Sequence, residues 1–262
     1  MRIVICPDES DLSRQAAFLV AAAIGRSPRM VLGLAAGATP IGLYHALGRH
    51  HADGLDFSGV AVFGLDEYFG LAADHPACFR GNIQRHFLNG VNIPPSRVSW
   101  PYCRPDEDIA ARCAAYERAI ADAGGIDVQV LGIGVNGHLG FNEPGSSLGG
   151  RTRLVRLSAT TRHANERNFP VAGDMPESAV TQGIGTILEA RRLLLMASGE
   201  SKAAAVEQAL EGPVTSMLPA SAVQLHPNVT VFLDRAAASR LRRREEYEAE
   251  TDMARRLGLL NL

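Results

Sequence analysis

The sequence predicts an α/β fold, in which a mostly parallel β-sheet carries helices on both faces. Short apolar runs bounded by Gly, Asp or Pro recur along the chain, and segments with helical spacing lie between them. Strands that alternate with helices form parallel sheets, because each helix returns the chain to the edge where the previous strand began. The predicted strands are residues 3–6, 30–34, 59–64, 127–133, 193–197 and 230–233.

The predicted helices follow from apolar spacing and from signals at their ends. Leu12, Ala16 and Leu19 follow helical spacing, and Asp8 or Ser10 can cap the start of their helix. Further helices are predicted at 41–47, 106–122 and 200–210, and the charged tail at 240–250 is predicted to be a solvated helix face.

These elements predict an open, doubly wound, Rossmann-like sheet in a single domain that spans residues 1–262. No shift in composition and no long linker divides the chain. A glycine-rich stretch at 145–150 precedes an arginine-rich segment, which predicts an excursion from the core. We expect a mobile lid at about 150–178.

Composition and charge exclude several classes of function. The net charge of −2 gives no broad attraction to nucleic acid or anionic membranes, so a local site must hold any anionic ligand. The longest apolar stretch, at 16–25, is far shorter than the roughly 20 residues that cross a bilayer. The four cysteines are scattered, as in a reducing compartment. We therefore expect a cytoplasmic protein that binds neither nucleic acid nor a membrane.

Residues 127–145 are the most informative segment, since an apolar alternating run ends there in a glycine-rich turn. Its glycines match the G-x-G-x-x-G fingerprint of dinucleotide-binding folds. That fingerprint needs a helix after its third glycine and a carboxylate about 20 residues further on. Pro144 and Gly145 would break such a helix, and residues 157–158 include no carboxylate. The match is therefore accidental, and we predict that the protein uses no cofactor.

The same turn presents three polar side chains within eight residues: Asn136, His138 and Glu143. A lone histidine is usually structural. A histidine with a carboxylate nearby can be oriented and made more basic, as a general acid or base near neutral pH requires. We predict that these three residues are catalytic. A metal site is the rival interpretation, and we reject it because the chain lacks paired histidine spacing and has no cysteine near the turn.

A second candidate site residue, Asp66, follows the predicted strand at 59–64. The carboxyl ends of parallel strands meet at one edge of the sheet, so Asp66 can face the same crevice as His138. There it could be a base toward a carbon acid. The alternative is a solvated or helix-capping acid, and the sequence favours neither.

A third strand end carries Gly37, Ala38 and Thr39, directly before a predicted helix. Small residues at a helix N-terminus leave free N–H groups that can bind phosphate. The alternative is an N-cap by Thr39 with Pro40 in the first helical position, and both interpretations can hold together.

Two cations could add to this phosphate site. Lys202 follows the predicted strand at 193–197, and Arg167 lies in the expected lid. A phosphate cradle, a carboxylate and a histidine–carboxylate pair at one edge favour proton transfer on a sugar phosphate over hydride or phosphoryl transfer.

With these residues assembled, the chain resembles the glucosamine-6-phosphate deaminase family. The combination of L-D-E-Y with N-G-H-x-x-F-N-E-P is highly specific for it. The related 6-phosphogluconolactonases have a similar fold and a G-I-G-x-D-G-H turn but lack the F-N-E-P continuation. The matching segments are LGLAAGATPIGLYHAL (32–47), FGLDEYFGL (63–71), LGIGVNGHLGFNEPGSSLGGRTR (131–153), TRHANERNF (161–169), GIGTILEAR (183–191) and SGESKAAA (198–205).

The resemblance implies a metal-free aldose–ketose isomerisation coupled to loss of ammonia, which yields fructose 6-phosphate. By this analogy His138, assisted by Glu143 and Asn136, opens the sugar ring by moving a proton from O1 to O5. Asp66 then removes the proton from C2. The residues that the analogy assigns to the substrate phosphate are Gly37, Ala38, Thr39, Arg167 and Lys202.

Three features of the sequence depart from the family pattern. Many members carry Asp where this chain has Asn136, which can orient a histidine but cannot ionise. The phosphate loop has alanines at 35, 36 and 38 in place of Pro, Thr and Ser or Gly. Val155 stands where members activated by N-acetylglucosamine 6-phosphate carry a basic residue, so we expect that control to be weak or absent.

Other functions remain alternatives at this point. One is a related sugar-phosphate enzyme on the same scaffold, such as a galactosamine-6-phosphate deaminase or a 6-phosphogluconolactonase. Another is a sensor that binds a sugar phosphate without turnover. The expected partners are a small-molecule amino-sugar phosphate and, if the chain assembles, further copies of itself in a homo-oligomer.

Overall fold

The computed structural model describes residues 1–72, 74–166, 169 and 174–258. Its strands are β1 (Arg2–Cys6), β2 (Val31–Leu34), β3 (Ala61–Gly64), β4 (Asp66–Tyr68), β5 (Val98–Ser99), β6 (Val128–Gly132), β7 (Arg153–Arg156), β8 (Ser178–Thr181), β9 (Leu193–Ala197) and β10 (Val229–Asp234). Its α-helices are α1 (Glu9–Arg26), α2 (Ala38–Ala52), α3 (Phe79–His86), α4 (Ile109–Asp122), α5 (Ala159–Glu166), α6 (Ile184–Leu188), α7 (Ala203–Glu211) and α8 (Arg244–Arg256).

The main sheet has seven parallel strands in the order β1-β10-β9-β6-β2-β3-β5. After β2 the chain builds outward through β3 and β5 to one edge, and from β6 it builds outward through β9 and β10 toward the other. The direction of winding therefore reverses between β2 and β6. In open α/β sheets the ligand crevice lies at this reversal, beyond the carboxyl ends of the strands.

Both faces of the main sheet are buried, which explains the continuous apolar runs in the sequence. In β1, Ile3 and Ile5 belong to one hydrophobic core, and Val4 and Cys6 belong to the core on the opposite face. Each face is covered by helices, so successive side chains of a strand enter different cores. The predicted α/β class with helices on both faces is confirmed.

A second, antiparallel sheet lies beside the first, with the strand order β4-β8-β7. Residue Asp66 in β4 pairs with Thr181 in β8, and Thr181 also pairs with Arg153 in β7. These strands were not predicted, because their sequences, DEY, RLVR and SAVT, include polar residues and form no continuous apolar run. Part of the expected lid at 150–178 therefore belongs to an ordered sheet.

The six predicted strands all correspond to strands of the main sheet, and the predicted helix ends are shifted by a few residues. Asp8 caps α1 by accepting a hydrogen bond from the Asp11 N–H at 2.8 Å. The helix predicted at 106–122 begins at Ile109, because Asp108 caps it. The helix predicted at 200–210 begins with a 3₁₀ turn at Glu200–Lys202. Within the described ranges, no helix is both long and apolar enough to cross a membrane.

Candidate active site

Four strand ends that the sequence analysis singled out are neighbours in the sheet. Strands β9, β6, β2 and β3 stand side by side, and the winding reverses between the middle two. The segments that follow them carry Lys202, His138, Gly37 and Asp66 respectively. The fold therefore brings the predicted site residues of these four segments to one crevice.

The turn after β6 holds His138, Asn136 and Glu143 in one hydrogen-bonded relay. The Nδ1 atom of His138 lies 2.6 Å from Asn136 Oδ1, and Asn136 Nδ2 donates to Glu143 Oε2 at 2.9 Å. The Glu143 carboxylate is itself 3.9 Å from His138 Nδ1, so the two do not bond directly. The structure thus brings together the three residues that the sequence predicted as catalytic.

The relay assigns the proton on the His138 ring. An ionised carboxylate can only accept hydrogen bonds, so the Asn136 NH₂ group must face Glu143 and its carbonyl oxygen must face His138. That oxygen also only accepts, hence Nδ1 carries the proton. The Nε2 atom of His138 is then left with a lone pair and can receive a proton from a substrate.

The electrostatic surroundings keep His138 neutral. Its pKa lies below the ordinary histidine value, first because the ring is buried and further because Lys202 carries a positive charge nearby. The Glu143 carboxylate opposes both effects. A neutral imidazole with a free Nε2 is the form that a general base requires.

The Glu143 carboxylate is held ionised by several hydrogen bonds. Burial alone would raise its pKa, but donors from Thr161, Asn136 and Ser158 and the neighbouring His138 outweigh burial and lower the pKa. The Ser158 hydroxyl donates to Oε1 at 3.0 Å, and the Thr161 hydroxyl donates to the same oxygen. Sequence analysis missed both hydroxyl residues, since serine and threonine at a helix start usually only cap the helix.

Two glycines in this turn are needed for close approach. A Cβ on Gly134 would lie 2.2 Å from the His138 ring, and a Cβ on Gly137 would lie 2.3 Å from Leu218. Gly137 also has a φ of +80°, which favours glycine. These glycines therefore let the backbone turn beside the histidine, and no helix follows them as a dinucleotide loop would require.

The carboxyl group of Asp66 is buried beside the same turn. Its side chain is within reach of Gly140, because a Cβ there would lie 3.3 Å from Asp66 Oδ2. Burial, and then the charge of Glu67, raise the pKa of Asp66 to about 8. No hydrogen-bond donor to the Asp66 carboxyl is found among the described residues. A buried carboxyl group with a raised pKa at a ligand crevice is a candidate for proton transfer.

The adjacent acid, Glu67, accepts hydrogen bonds from the start of α3. Its carboxylate accepts hydrogen bonds from the N–H groups of Phe79 and Arg80, at 3.0 and 2.9 Å, and from the Cys78 thiol. These groups form the start of α3, where a negative charge is stabilising. The helix-capping interpretation of an acid at this strand end therefore applies to Glu67, and the role of Asp66 as a base stays a prediction.

The third segment, after β2, opens α2 at Ala38. Gly37 is the N-cap, and no side chain caps this helix start. The N-cap predicted for Thr39 is therefore wrong, because the chain enters the helix two residues earlier and Thr39 lies in the first turn. Pro40, buried in that turn, has no N–H to satisfy. No side chain of the described residues accepts from the N–H groups of Ala38 and Thr39, as an anion site requires.

The fourth segment presents Lys202 from a turn that a buried aspartate holds in place. Asp234, the last residue of β10, accepts hydrogen bonds from Ser198 Oγ at 2.6 Å and from the Gly199 N–H at 3.0 Å. Sequence analysis missed Asp234, although an aspartate at a strand end next to β9 was a signal for it. The other predicted cation, Arg167, lies outside the described residues. Within the described ranges no cluster of His, Cys, Asp and Glu is arranged to hold a metal ion.

Comparison with known proteins gives consistent matches. Residues 7–232 match the family of glucosamine-6-phosphate isomerases/6-phosphogluconolactonase. The glucosamine-6-phosphate deaminase of Arthrobacter sp. (strain FB24) is 48% identical over 253 residues, which cover 96% of this chain and 97% of that protein. The enzyme of the same description from Mycolicibacterium smegmatis is 48% identical over 258 residues, covering 95% and 98%.

Solved structures agree with these relatives. A structure described as a monomeric glucosamine-6-phosphate deaminase has a TM-score of 0.88 at 44% identity and covers 91% of this chain and 99% of its own. The 6-phosphogluconolactonase of Trypanosoma cruzi has a TM-score of 0.73 at 22% identity, with 92% and 97% covered. At that identity the likeness concerns the fold alone.

Proposed function

The chain belongs to the family of glucosamine-6-phosphate isomerases/6-phosphogluconolactonase, and we propose that it is an enzyme that converts glucosamine 6-phosphate into fructose 6-phosphate and ammonia. The observation that carries this is the His138–Asn136–Glu143 relay beside the buried Asp66, in a chain 48% identical to glucosamine-6-phosphate deaminases along nearly its whole length. The reaction belongs to amino-sugar catabolism.

Ring opening is the task of His138 in this proposal. Its Nε2 lone pair takes the proton from the O1 hydroxyl of the pyranose and returns a proton to O5 as the C1–O5 bond breaks. The product is the open-chain aldehyde. The Asn136 oxygen keeps the other ring nitrogen protonated throughout, so the histidine returns to its starting tautomer.

Isomerisation and deamination follow at C2. Asp66 removes the C2 proton to give an enolamine, and protonation at C1 then yields an imine at C2. Water adds to the imine, and ammonia leaves to give the ketone of fructose 6-phosphate. The buried carboxyl of Asp66 suits this step, because a base in an apolar site is stronger than one in water.

The phosphate group is assigned to the N–H groups of Gly37, Ala38 and Thr39 and to Lys202. The uncapped start of α2 supports this assignment, since a helix N-terminus attracts anions. Arg167 is proposed as a further phosphate ligand on the resemblance alone.

One assay separates this proposal from its alternatives. Release of ammonia is measured with glucosamine 6-phosphate, with galactosamine 6-phosphate and, as hydrolysis, with 6-phosphogluconolactone. The proposal requires that the first substrate be preferred and that Asp66→Asn lower turnover at least 100-fold, as loss of a general base does. Binding of substrate in calorimetry without ammonia release would instead identify a sensor.

Regulation and assembly belong to the same proposal. Val155 lies on β7, at the position where members activated by N-acetylglucosamine 6-phosphate carry a basic residue. Two residues earlier, the Arg153 guanidinium donates to Asn142 Oδ1 at 2.9 Å. We expect N-acetylglucosamine 6-phosphate to leave the half-saturating substrate concentration unchanged.

A homo-oligomer, a mobile lid at about 150–178 and a cytoplasmic location stay predictions. A mass in solution well above 28.0 kDa would establish the first.

A further inference from the structure

Two hydroxyl residues at the start of α5 bear on the ring-opening step. We propose that Ser158 and Thr161 are positioning residues for His138. They keep Glu143 ionised, the ionised carboxylate fixes the orientation of the Asn136 amide, and the amide fixes the tautomer of His138. This inference rests on the proposed function and adds to it the origin of the active histidine tautomer.

The two carboxylate oxygens of Glu143 accept hydrogen bonds from different groups. Oε1 accepts from both hydroxyls, those of Ser158 and Thr161, and Oε2 accepts from Asn136 Nδ2. Ser158 Oγ also accepts the Thr161 N–H at 3.1 Å, which leaves its proton free to point at the carboxylate. Ser158 Oγ therefore accepts from an N–H group at the start of α5 and donates its own proton to the carboxylate. The two hydroxyls stabilise the charged form of Glu143.

The Asn136 amide responds to that charge. A protonated Glu143 could donate to the Asn136 oxygen, and a rotated amide would then present its NH₂ group to His138 Nδ1. Nδ1 would have to accept, and the ring proton would move to Nε2. The lone pair that takes the substrate proton would be lost. This consequence is specific to an amide at position 136, since the two ends of a carboxylate are equivalent.

Among the described residues, few other charges act on this relay. Lys202 lowers the pKa of His138, and Arg153 holds Asn142 and Ser146 on either side of Glu143. On α5, the Arg162 guanidinium lies 3.7 Å from Glu177. His163 is exposed. Within the described part of this segment, the hydroxyls of Ser158, just before α5, and of Thr161, on α5, are the groups that contact Glu143 directly. The lowered pKa of Glu143 agrees with their effect.

The tautomer can be observed without turnover. Long-range ¹H–¹⁵N correlation spectra of the histidine-labelled protein distinguish a proton on Nδ1 from one on Nε2, and His138→Gln identifies the signal of interest. We expect Nδ1–H in the wild-type protein at neutral pH. In Ser158→Ala/Thr161→Val, we expect the neutral Nε2–H form to appear at a pH at which the wild-type ring still carries its single proton on Nδ1. A wild-type protein with Nε2–H at neutral pH would overturn the proposal.

Kinetics give an independent readout. Below the limb that Asp66 sets, protonation of Glu143 should give kcat/KM a second, steeper limb at more acidic pH, which we call the acid limb. Thr161→Val should move this acid limb upward by about one pH unit, since a hydrogen bond to a charged group shifts a pKa by about that much. Thr161→Ser should restore the limb. The matched control is Thr186→Val, which removes a hydroxyl donor from another half-buried carboxylate, Glu117, away from the site. Its limb should not move.

A double-mutant cycle isolates the amide. On the Asn136→Asp background, Thr161→Val should shift the acid limb clearly less than it does alone, because no amide is left to rotate. An equal shift on both backgrounds, or an unmoved limb in folded Thr161→Val, contradicts the proposal. Failure of the wild type to release ammonia would contradict the proposed function instead, while the spectra would still test the relay.

Discussion

Asp66 must satisfy two opposing requirements at the scale of a single residue. It must be ionised to remove the C2 proton, yet burial and the neighbouring Glu67 raise its pKa to about 8, so the free enzyme holds it largely protonated at neutral pH. The substrate carries an ammonium group on the reacting carbon. A positive charge within about 4–6 Å favours the ionised carboxylate, so binding of the substrate should itself activate the base.

This predicts two different pH profiles. The rising limb of kcat/KM, which reports the free enzyme, should lie near pH 8 because of the raised pKa of Asp66. The limb of kcat, which reports the complex, should lie at lower pH. Steady-state kinetics between pH 3 and 10 measure both. Coincident limbs near pH 4 would show that Asp66 is ionised before the substrate arrives.

The turn after β9 illustrates how one element positions another. Gly199 has a φ of +89°, and Asp234 fixes its N–H and the Ser198 hydroxyl while also accepting from the Ala237 N–H at 2.7 Å. One carboxylate thus joins the ends of two neighbouring strands. Lys202 follows three residues later, so the position of its ammonium depends on this junction.

We predict that Asp234→Ala raises KM for glucosamine 6-phosphate roughly tenfold, since a loosened contact to the phosphate of about 1.4 kcal/mol corresponds to that factor. A matched control is Asp127, which lies at the amino end of β6, away from the carboxyl ends of the strands where the site lies. Its carboxylate accepts from the Val31 N–H at 2.8 Å. Asp127→Ala should lower stability and leave KM unchanged. A similar rise in KM in both variants would argue against a specific role for Asp234.

At the scale of the whole molecule, Glu117 connects the second sheet to helices α4 and α6. Its carboxylate, on α4, accepts from the Thr152 N–H at 2.8 Å, just before β7, and from Thr186 Oγ1 at 2.7 Å, on α6. Arg151 pairs with it as well. Burial would raise the pKa of Glu117, but these donors outweigh burial and hold the pKa below its ordinary value.

Glu117→Ala should therefore lower the free energy of unfolding by about 2–4 kcal/mol, because several donors lose their acceptor. A lowered carboxylate pKa stabilises the fold above the unfolded value of about 4.3, and this contribution is lost as the pH falls through the lowered pKa. Urea unfolding at pH 7 and at pH 3 should show that the difference between variant and wild type shrinks in acid. A constant difference would mean that Glu117 contributes no pH-dependent stability.

The local pattern of the sequence determined much of this protein. Apolar runs predicted six of the seven strands of the main sheet, since a strand buried on both faces must be continuously apolar. Glycines and polar residues at strand ends predicted Asp66, Asn136, His138 and Glu143, because parallel strands share the edge at which they end. The short strands β4, β7 and β8 carry no such pattern, and the sequence did not reveal them.

The tertiary structure alone decided what each acid does. Asp66 and Glu67 are adjacent in the sequence, yet Asp66 is buried with no donor among the described residues and Glu67 caps α3. The partners of Glu143 lie 15 and 18 residues away, and Asp234 reaches a turn 35 residues before it. Burial and distant donors set the protonation of these groups. Both follow from the strand order, which places remote segments together and which no local spacing encodes.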